Sequence, residues 1–198
     1  MPELSAPKLS PEDHRTLSRI LKVNHAGEYG AIRIYRAQLW LARHWHPALV
    51  PFLEETLSHE IQHCRHFVEA MSSRQSRPCR AMWLWGLGGS ALGVITAVMR
   101  RNAVLACTKA VEQTVHRHLE AQIAFLASRD TALRDLIAGI QVEECRHLDH
   151  AAGQLAPSPF NRAIETVVDI STATVIWLST QGAVSRMEKA LRRAHMTR

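Results

Sequence analysis

Glu60-Ile61-Gln62-His63 and Glu144-Cys145-Arg146-His147 are the two stretches on which the reading of this chain turns. In each, a carboxylate and an imidazole stand three residues apart, which puts both side chains on one face of a helix. Each stretch also interrupts a run of apolar residues at helical spacing. The first run is Leu53, Thr56, Glu60, His63 and Phe67; the second is Leu133, Ile137, Ile140, Glu144, His147 and Ala151. Both pairs therefore lie on a stripe that faces a core, where a bare carboxylate is costly unless it is paired or bound to metal. A single Glu-x-x-His is common on solvated helix faces, so the weight falls on what accompanies these two.

Two lone glutamates accompany them. Glu28 lies on the stripe Leu17, Leu21, Asn24, Glu28, Ala31 and Tyr35, and Glu112 on the stripe Leu105, Glu112, Val115, Leu119 and Leu126. Glu28 precedes Glu60 by 32 residues, Glu112 precedes Glu144 by 32, and the second half repeats the first 84 residues later. Two helix pairs related by a pseudo-two-fold axis would gather four Glu and two His, the ligand set of ferritin-like di-iron and di-manganese bundles. Carboxylate oxygens with imidazole suit iron or manganese. The neighbouring Glu54, Glu55, Glu69 and Glu143 read as surface acids. His59, His66, His116, His118 and His150 read as solvated or hydrogen-bonded rather than as ligands.

Outward from these stretches the chain reads as all-α, with no strand-and-turn alternation. A first helix is expected from Ser10-Pro11-Glu12, a cap followed by proline, to about His46, where Pro47 stops it. Further helices fit about 50–73, 102–128 and 131–154, and one continuous amphipathic helical segment fits about 160–192. The expected architecture is a ferritin-like four-helix bundle with additional hydrophobic and C-terminal helices. It forms one domain across 1–198, with a flexible start at 1–14.

Residues 81–99 carry no charge, and these 19 residues are long enough to be tested as a membrane span. A crossing helix is not expected, because it would put the two halves on opposite sides of a bilayer. Gly86, Gly88, Gly89 and Gly93 also lower helical preference. The segment reads instead as an interfacial membrane-contact element, with Trp83 and Trp85 near headgroups and Arg80, Arg100 and Arg101 at lipid phosphates. Gly86-x-Gly88-x-x-Ala91 lacks the β-α-β setting of a dinucleotide turn. Gly89-x-x-x-Gly93 reads as close helix packing, in lipid or in protein.

The net charge of +6 suits an anionic membrane surface. Its basic residues form no block and do not interleave with aromatics, so no nucleic-acid partner is expected. Cys64, Cys79, Cys107 and Cys145 form no C-x-x-C pair, which argues against thiolate zinc and against a disulfide framework. Met1–Ser10 is polar and lacks the apolar core of a signal peptide.

Four motifs follow in order: Asn24-His25-Ala26-Gly27-Glu28-Tyr29-Gly30-Ala31, then Glu60-x-x-His63, then Ala106-Cys107-Thr108 leading to Val111-Glu112, then Glu143-Glu144-x-x-His147. Together they resemble the demethoxyubiquinone hydroxylase family of ubiquinone biosynthesis, over about residues 16–190. The resemblance implies a di-iron monooxygenase. Glu28, Glu60 and His63 would hold one iron and Glu112, Glu144 and His147 the other, with Glu60 and Glu144 bridging. It implies dioxygen as co-substrate and a polyprenylated demethoxyubiquinone or demethoxyubiquinol as the ring hydroxylated. It further implies NADH as electron donor, although the chain holds no nicotinamide motif. The implied place is peripheral, on the cytoplasmic face of the inner cell membrane, with room for a homo-oligomer or a complex of ubiquinone-biosynthesis proteins. One departure is Gln113, where the family usually has a second acid; it bears on the tuning of the site. The alternative is a ferritin-like iron-storage or peroxide-reducing protein, which would not need the uncharged segment.

Overall fold

The computed structural model describes residues 9–196. Seven helices follow one another: α1 (Pro11–Trp45), α2 (Val50–Ser73), α3 (Met82–Val98), α4 (Arg101–Leu126), α5 (Thr131–Gly153), α6 (Pro159–Ser179) and α7 (Ala183–Met196). A 3-10 turn, Pro47–Leu49, joins the first two, and no strand occurs among the described residues. Of the expected flexible start, residues 1–8 lie outside the described residues, and 11–14 form the first turn of α1. Ser10 caps that turn by accepting from the Asp13 N–H, Pro11 follows it, and Glu12 and Asp13 face the positive helix end. Asp130 caps α5 and Ser158 caps α6 in the same way.

α1 packs along α2, and α4 along α5; these two hairpins meet to form the bundle. The repeat extends further than the two hairpins. α3 lies on α1 as α6 lies on α4, and α3 and α6 touch each other, so each half is a unit of three helices. Two apolar clusters fill the bundle. Leu21, Phe67, Leu119 and Ile137 belong to one, and Tyr35, Leu53, Leu105 and Ala151 to the other. Along every bundle helix the metal-ligating residue types fall between the two clusters.

Three expectations are corrected. The segment at 160–192 is two helices, not one. Gly182 at φ +70 and Gln181 at φ +53 reverse the chain, and the Gly182 N–H donates to the Trp177 carbonyl at 3.0 Å. This is the six-to-one bond that ends a helix at a left-handed residue. α7 then folds back onto α1 and α4, burying Met187 and Leu191. Secondly, Trp85 is only 5% exposed, its ring laid against Gly30, whereas Trp83 is 63% exposed. Thirdly, Arg101 hydrogen-bonds Gln154 rather than standing free for phosphates.

Gly89 and Gly93 bring α3 onto α1 within the protein. A Cβ at Gly89 would sit 2.7 Å from the Gly30 carbonyl oxygen. At Gly93 it would strike the Ile34 carbonyl and come within 2.8 Å of the Ala37 Cβ. No described helix is long and apolar enough to cross a membrane.

Gly93→Ala should therefore lower stability by about 1–3 kcal/mol, as overpacking against backbone does. At roughly 3 °C per kcal/mol this is readable as a drop in Tm by circular dichroism. Gly88→Ala, which meets only the Val175 Cγ2 at 3.5 Å, should leave Tm unchanged or raise it. Equal effects at the two positions would contradict the close approach.

Candidate metal centre

Glu28 projects from the middle of α1, Glu60 and His63 from α2, Glu112 from α4, and Glu144 and His147 from α5; all six are buried. They form two overlapping groups whose ligand atoms lie within 4.8 Å of one another. One is Glu28, Glu60, His63 and Glu144; the other is Glu60, Glu112, Glu144 and His147. Glu60 and Glu144 belong to both. The His63 Nδ1 is 3.0 Å from one Glu144 oxygen and 3.9 Å from Glu28. The His147 Nδ1 is 3.5 Å from the other Glu144 oxygen and 3.9 Å from both Glu60 and Glu112.

Five atoms of this cluster are buried without a hydrogen-bond partner: Glu60 Oε1, both Glu144 oxygens, and the Nδ1 of His63 and of His147. An orphaned buried polar atom costs about 1–3 kcal/mol. Five in one place, all carboxylate oxygens or imidazole nitrogens, fit a pair of cations such as iron or manganese.

Without cations, protons do the neutralising. Burial, and then the charge of Glu144, push Glu28 up to about 7. Burial and Glu144 likewise push Glu60 and Glu112 well above the ordinary carboxylate range. Glu144 holds the negative charge. Burial raises it too, but the close approach of Glu112, His147 and His63 outweighs burial and keeps it below that range. Burial opposes protonation of His63, but the carboxylates of Glu144 and Glu28 prevail and push it up to about 9.

Further residues hold the six in place. The Tyr35 hydroxyl donates to Glu112 Oε1 at 2.5 Å. The His63 Nε2 meets Glu143 Oε2 at 2.8 Å, and the His147 Nε2 meets the His59 Nδ1 at 2.9 Å. Glu143 is thus not the surface acid expected, and His59 is hydrogen-bonded, one of the two states expected of it. Each immediately precedes the Glu of a Glu-x-x-His, and they stand 84 residues apart, a signal that could have identified them. Gln113 is exposed and lines a small polar depression with Arg117 and Glu165.

A cavity of about 260 Å³ lies between α1, α3, α4 and α6. Its lining runs from Glu28 past Ile34, Leu92 and Leu119 to Ala91 and Ile95, both exposed. Several lining residues come in pairs at the 84-residue offset, and in three of them a glycine of the first half matches a larger residue of the second: Gly27 with Val111, Gly30 with Thr114, Gly88 with Thr172. Beside its outer end α3 exposes Trp83, Leu87, Ile95 and Val98. α6 exposes Val167, Ile170, Trp177 and Leu178, so apolar side chains are concentrated on the two helices that flank the cavity.

A protein-family model described as ubiquinone biosynthesis protein COQ7 matches residues 15–179. The chain is 34% identical over 171 residues to the mitochondrial NADPH-dependent 3-demethoxyubiquinone 3-hydroxylase of Mus musculus, covering 82% of this chain and 76% of that protein. It is 31% identical over 170 residues to the 3-demethoxyubiquinol 3-hydroxylase of Rhodospirillum rubrum, covering 85% and 80%. It is 36% identical over 127 residues to the mitochondrial 5-demethoxyubiquinone hydroxylase of Saccharomyces cerevisiae, covering 63% and 54%.

The protons held by the metal-free cluster make its stability depend on pH. Glu28 binds a proton more tightly folded than unfolded, so its contribution is lost as pH rises from 4.5 through about 7. That of His63 is lost as pH rises from 6.5 through about 9. Glu144 acts in the opposite sense, but only below its ordinary 4.5. The Tm of metal-free protein should therefore fall by several degrees between about pH 5 and pH 9, at about 1.4 kcal/mol per pKa unit. Metal-loaded protein should lack this slope, and loading should release protons measurable in weakly buffered solution. A metal-free Tm that rises across this interval would refute the proton-holding cluster.

Proposed function

The chain belongs to the family of the ubiquinone biosynthesis protein COQ7, and from that membership we propose a dioxygen-dependent di-iron monooxygenase that hydroxylates the ring of a polyprenylated demethoxyubiquinone or demethoxyubiquinol. The observation that carries the proposal is the cavity whose lining joins Glu28, a member of the carboxylate–histidine cluster, to the exposed Ala91 and Ile95 of α3. Glu28, Glu60 and His63 would hold one iron and Glu112, Glu144 and His147 the other, with Glu60 and Glu144 shared. Four carboxylates balance two ferrous ions, which leaves a nearly neutral site inside the bundle. The bound irons would supply the activation of dioxygen.

The remaining work falls to the chain itself. Apolar walls from Ile34, Leu92 and Leu119 exclude water and take the quinone ring edge-on to Glu28. The Tyr35 hydroxyl donates to Glu112 Oε1 and fixes that carboxylate's orientation. At about 260 Å³ the cavity lies below the usual range for small-molecule pockets, roughly 300–1,000 Å³, and takes a ring and the start of a tail. The rest of the tail leaves past Ile95, toward the apolar face.

That face, with Trp83 and Trp177 as interfacial aromatics and a net charge of +6 behind it, suits peripheral attachment to an anionic membrane. We place it on the cytoplasmic face of the inner membrane, where the lipid-dissolved substrate resides. A second copy or another protein of the same pathway would compete for the same surface. Electrons come from a nicotinamide nucleotide. The mammalian relatives are named as NADPH-dependent, in place of the NADH first expected. The relatives are hydroxylases, so the iron-storage alternative is set aside.

Reconstituted with ferrous iron and supplied with a reductant, a demethoxyquinone and isotopically labelled dioxygen, the protein should place one labelled oxygen on the ring. His147→Ala should lose turnover by at least about a hundredfold while keeping its helix content. Label arriving from water would refute the monooxygenase.

Leu87→Asp combined with Ile170→Asp should weaken binding to vesicles of mixed neutral and anionic lipid by about tenfold or more, about 1.4 kcal/mol. It should slow turnover of long-tailed quinones while sparing iron content and short-tailed substrates. Unchanged vesicle binding with a changed sedimentation coefficient would assign the face to a protein partner instead.

A further inference from the structure

We infer that the two metal positions are unequal, with His59 and Glu143 as the positioning residues that make them so; the inference rests on the di-iron reading above. The two residues are equivalent under the 84-residue repeat, and each reaches across to the His of the other half. Their chemistry differs. A carboxylate only accepts, so the His63 Nε2–H donates to Glu143 at 2.8 Å, and the ring is held with its Nδ1 toward Glu28 and Glu144.

His59 imposes no such choice, because its Nδ1 can accept from the His147 Nε2 or donate to it. In the second arrangement the proton of His147 sits on Nδ1, the atom that faces Glu60, Glu112 and Glu144. The anionic partner of His63 also makes its imidazole the more basic ligand.

A second pair of equivalent residues biases the site in the same direction. Tyr35 donates to Glu112 at 2.5 Å, drawing charge from a carboxylate of the His147 position. Its counterpart at the same offset is Leu119, which has no hydroxyl to offer Glu28. The group of Glu28, Glu60, His63 and Glu144 therefore fills first, and the group of Glu60, Glu112, Glu144 and His147 second and more weakly.

Anaerobic calorimetric titration of the full-length metal-free protein with ferrous ion tests this. Wild type should show two steps of one equivalent each, separated by about tenfold or more in affinity. Glu143→Gln should weaken the first step by about 10–100-fold, the usual effect of losing a ligand's outer partner, and draw the steps together. His59→Glu should strengthen the second step until the two merge at the tighter value, whereas His59→Gln should leave them apart. Tyr35→Phe, independent of both histidine partners, should strengthen only the second step. Two equivalents bound in a single step by wild type, or a second step unmoved by both His59→Glu and Tyr35→Phe in helical, folded protein, overturns the inequality and leaves the di-iron reading standing. Binding of fewer than two equivalents by wild type overturns the di-iron reading itself, and the inference with it.

Discussion

Four carboxylates meet within a few ångströms of one another in the middle of a helical bundle, and their mutual repulsion sets the terms for everything around them. Burial, and then the charge of the fourth, push three of them toward the neutral acid, and the fourth keeps its charge through the nearness of Glu112, His147 and His63. Such a cluster is tolerable with protons or with cations in it, and intolerable with neither. The apolar clusters above and below supply the stability that holds six ionisable side chains in one layer. The helix pairs have to be close and rigid there, because the ligand atoms of two opposed helices converge on shared carboxylates.

The repeating unit has three helices rather than two, and this gives the site its access. A pair of hairpins would close over the cluster on all sides. α3 and α6, each lying along the first helix of its half, leave a space between them that reaches Glu28. α3 manages this with unusual economy of volume. Where Gly89 and Gly93 meet α1, backbone touches backbone, and the side chains of the helix are left for the cavity and for the outer surface.

The bundle and the six clustered residues were legible in the sequence because one physical signal, a charge on an otherwise apolar stripe, occurred four times at matched offsets. The parts that were not legible depend on contacts that periodicity does not encode. Nothing in the amphipathic pattern of 160–192 marks the reversal at Gly182; it needed the left-handed φ and the bond to the Trp177 carbonyl. Trp83 and Trp85 look alike in a run of apolar residues, yet one faces outward and the other fills the notch at Gly30. Arg101 read as a free cation because its partner Gln154 lies 53 residues on, at the end of the next helix. Glu143 read as a surface acid and His59 as merely solvated or hydrogen-bonded, because their role lies in what the far nitrogen of a neighbouring imidazole requires.

The paired lining of the cavity has a consequence for regiochemistry. α1 and α4 are equivalent, as are α3 and α6, so the cavity straddles the pseudo-two-fold axis. A flat ring lying on that axis would present its two edges to equivalent walls, and nothing would distinguish one ring carbon from another. Discrimination has to originate where the paired positions differ. Gly27 and Gly88 stand opposite Val111 and Thr172, so at these positions the wall is lower on the first half. Gly30 stands opposite Thr114, but there the Trp85 ring fills the notch. A substituted ring therefore meets unlike walls on its two sides, and the edge it turns toward the cluster depends on that difference.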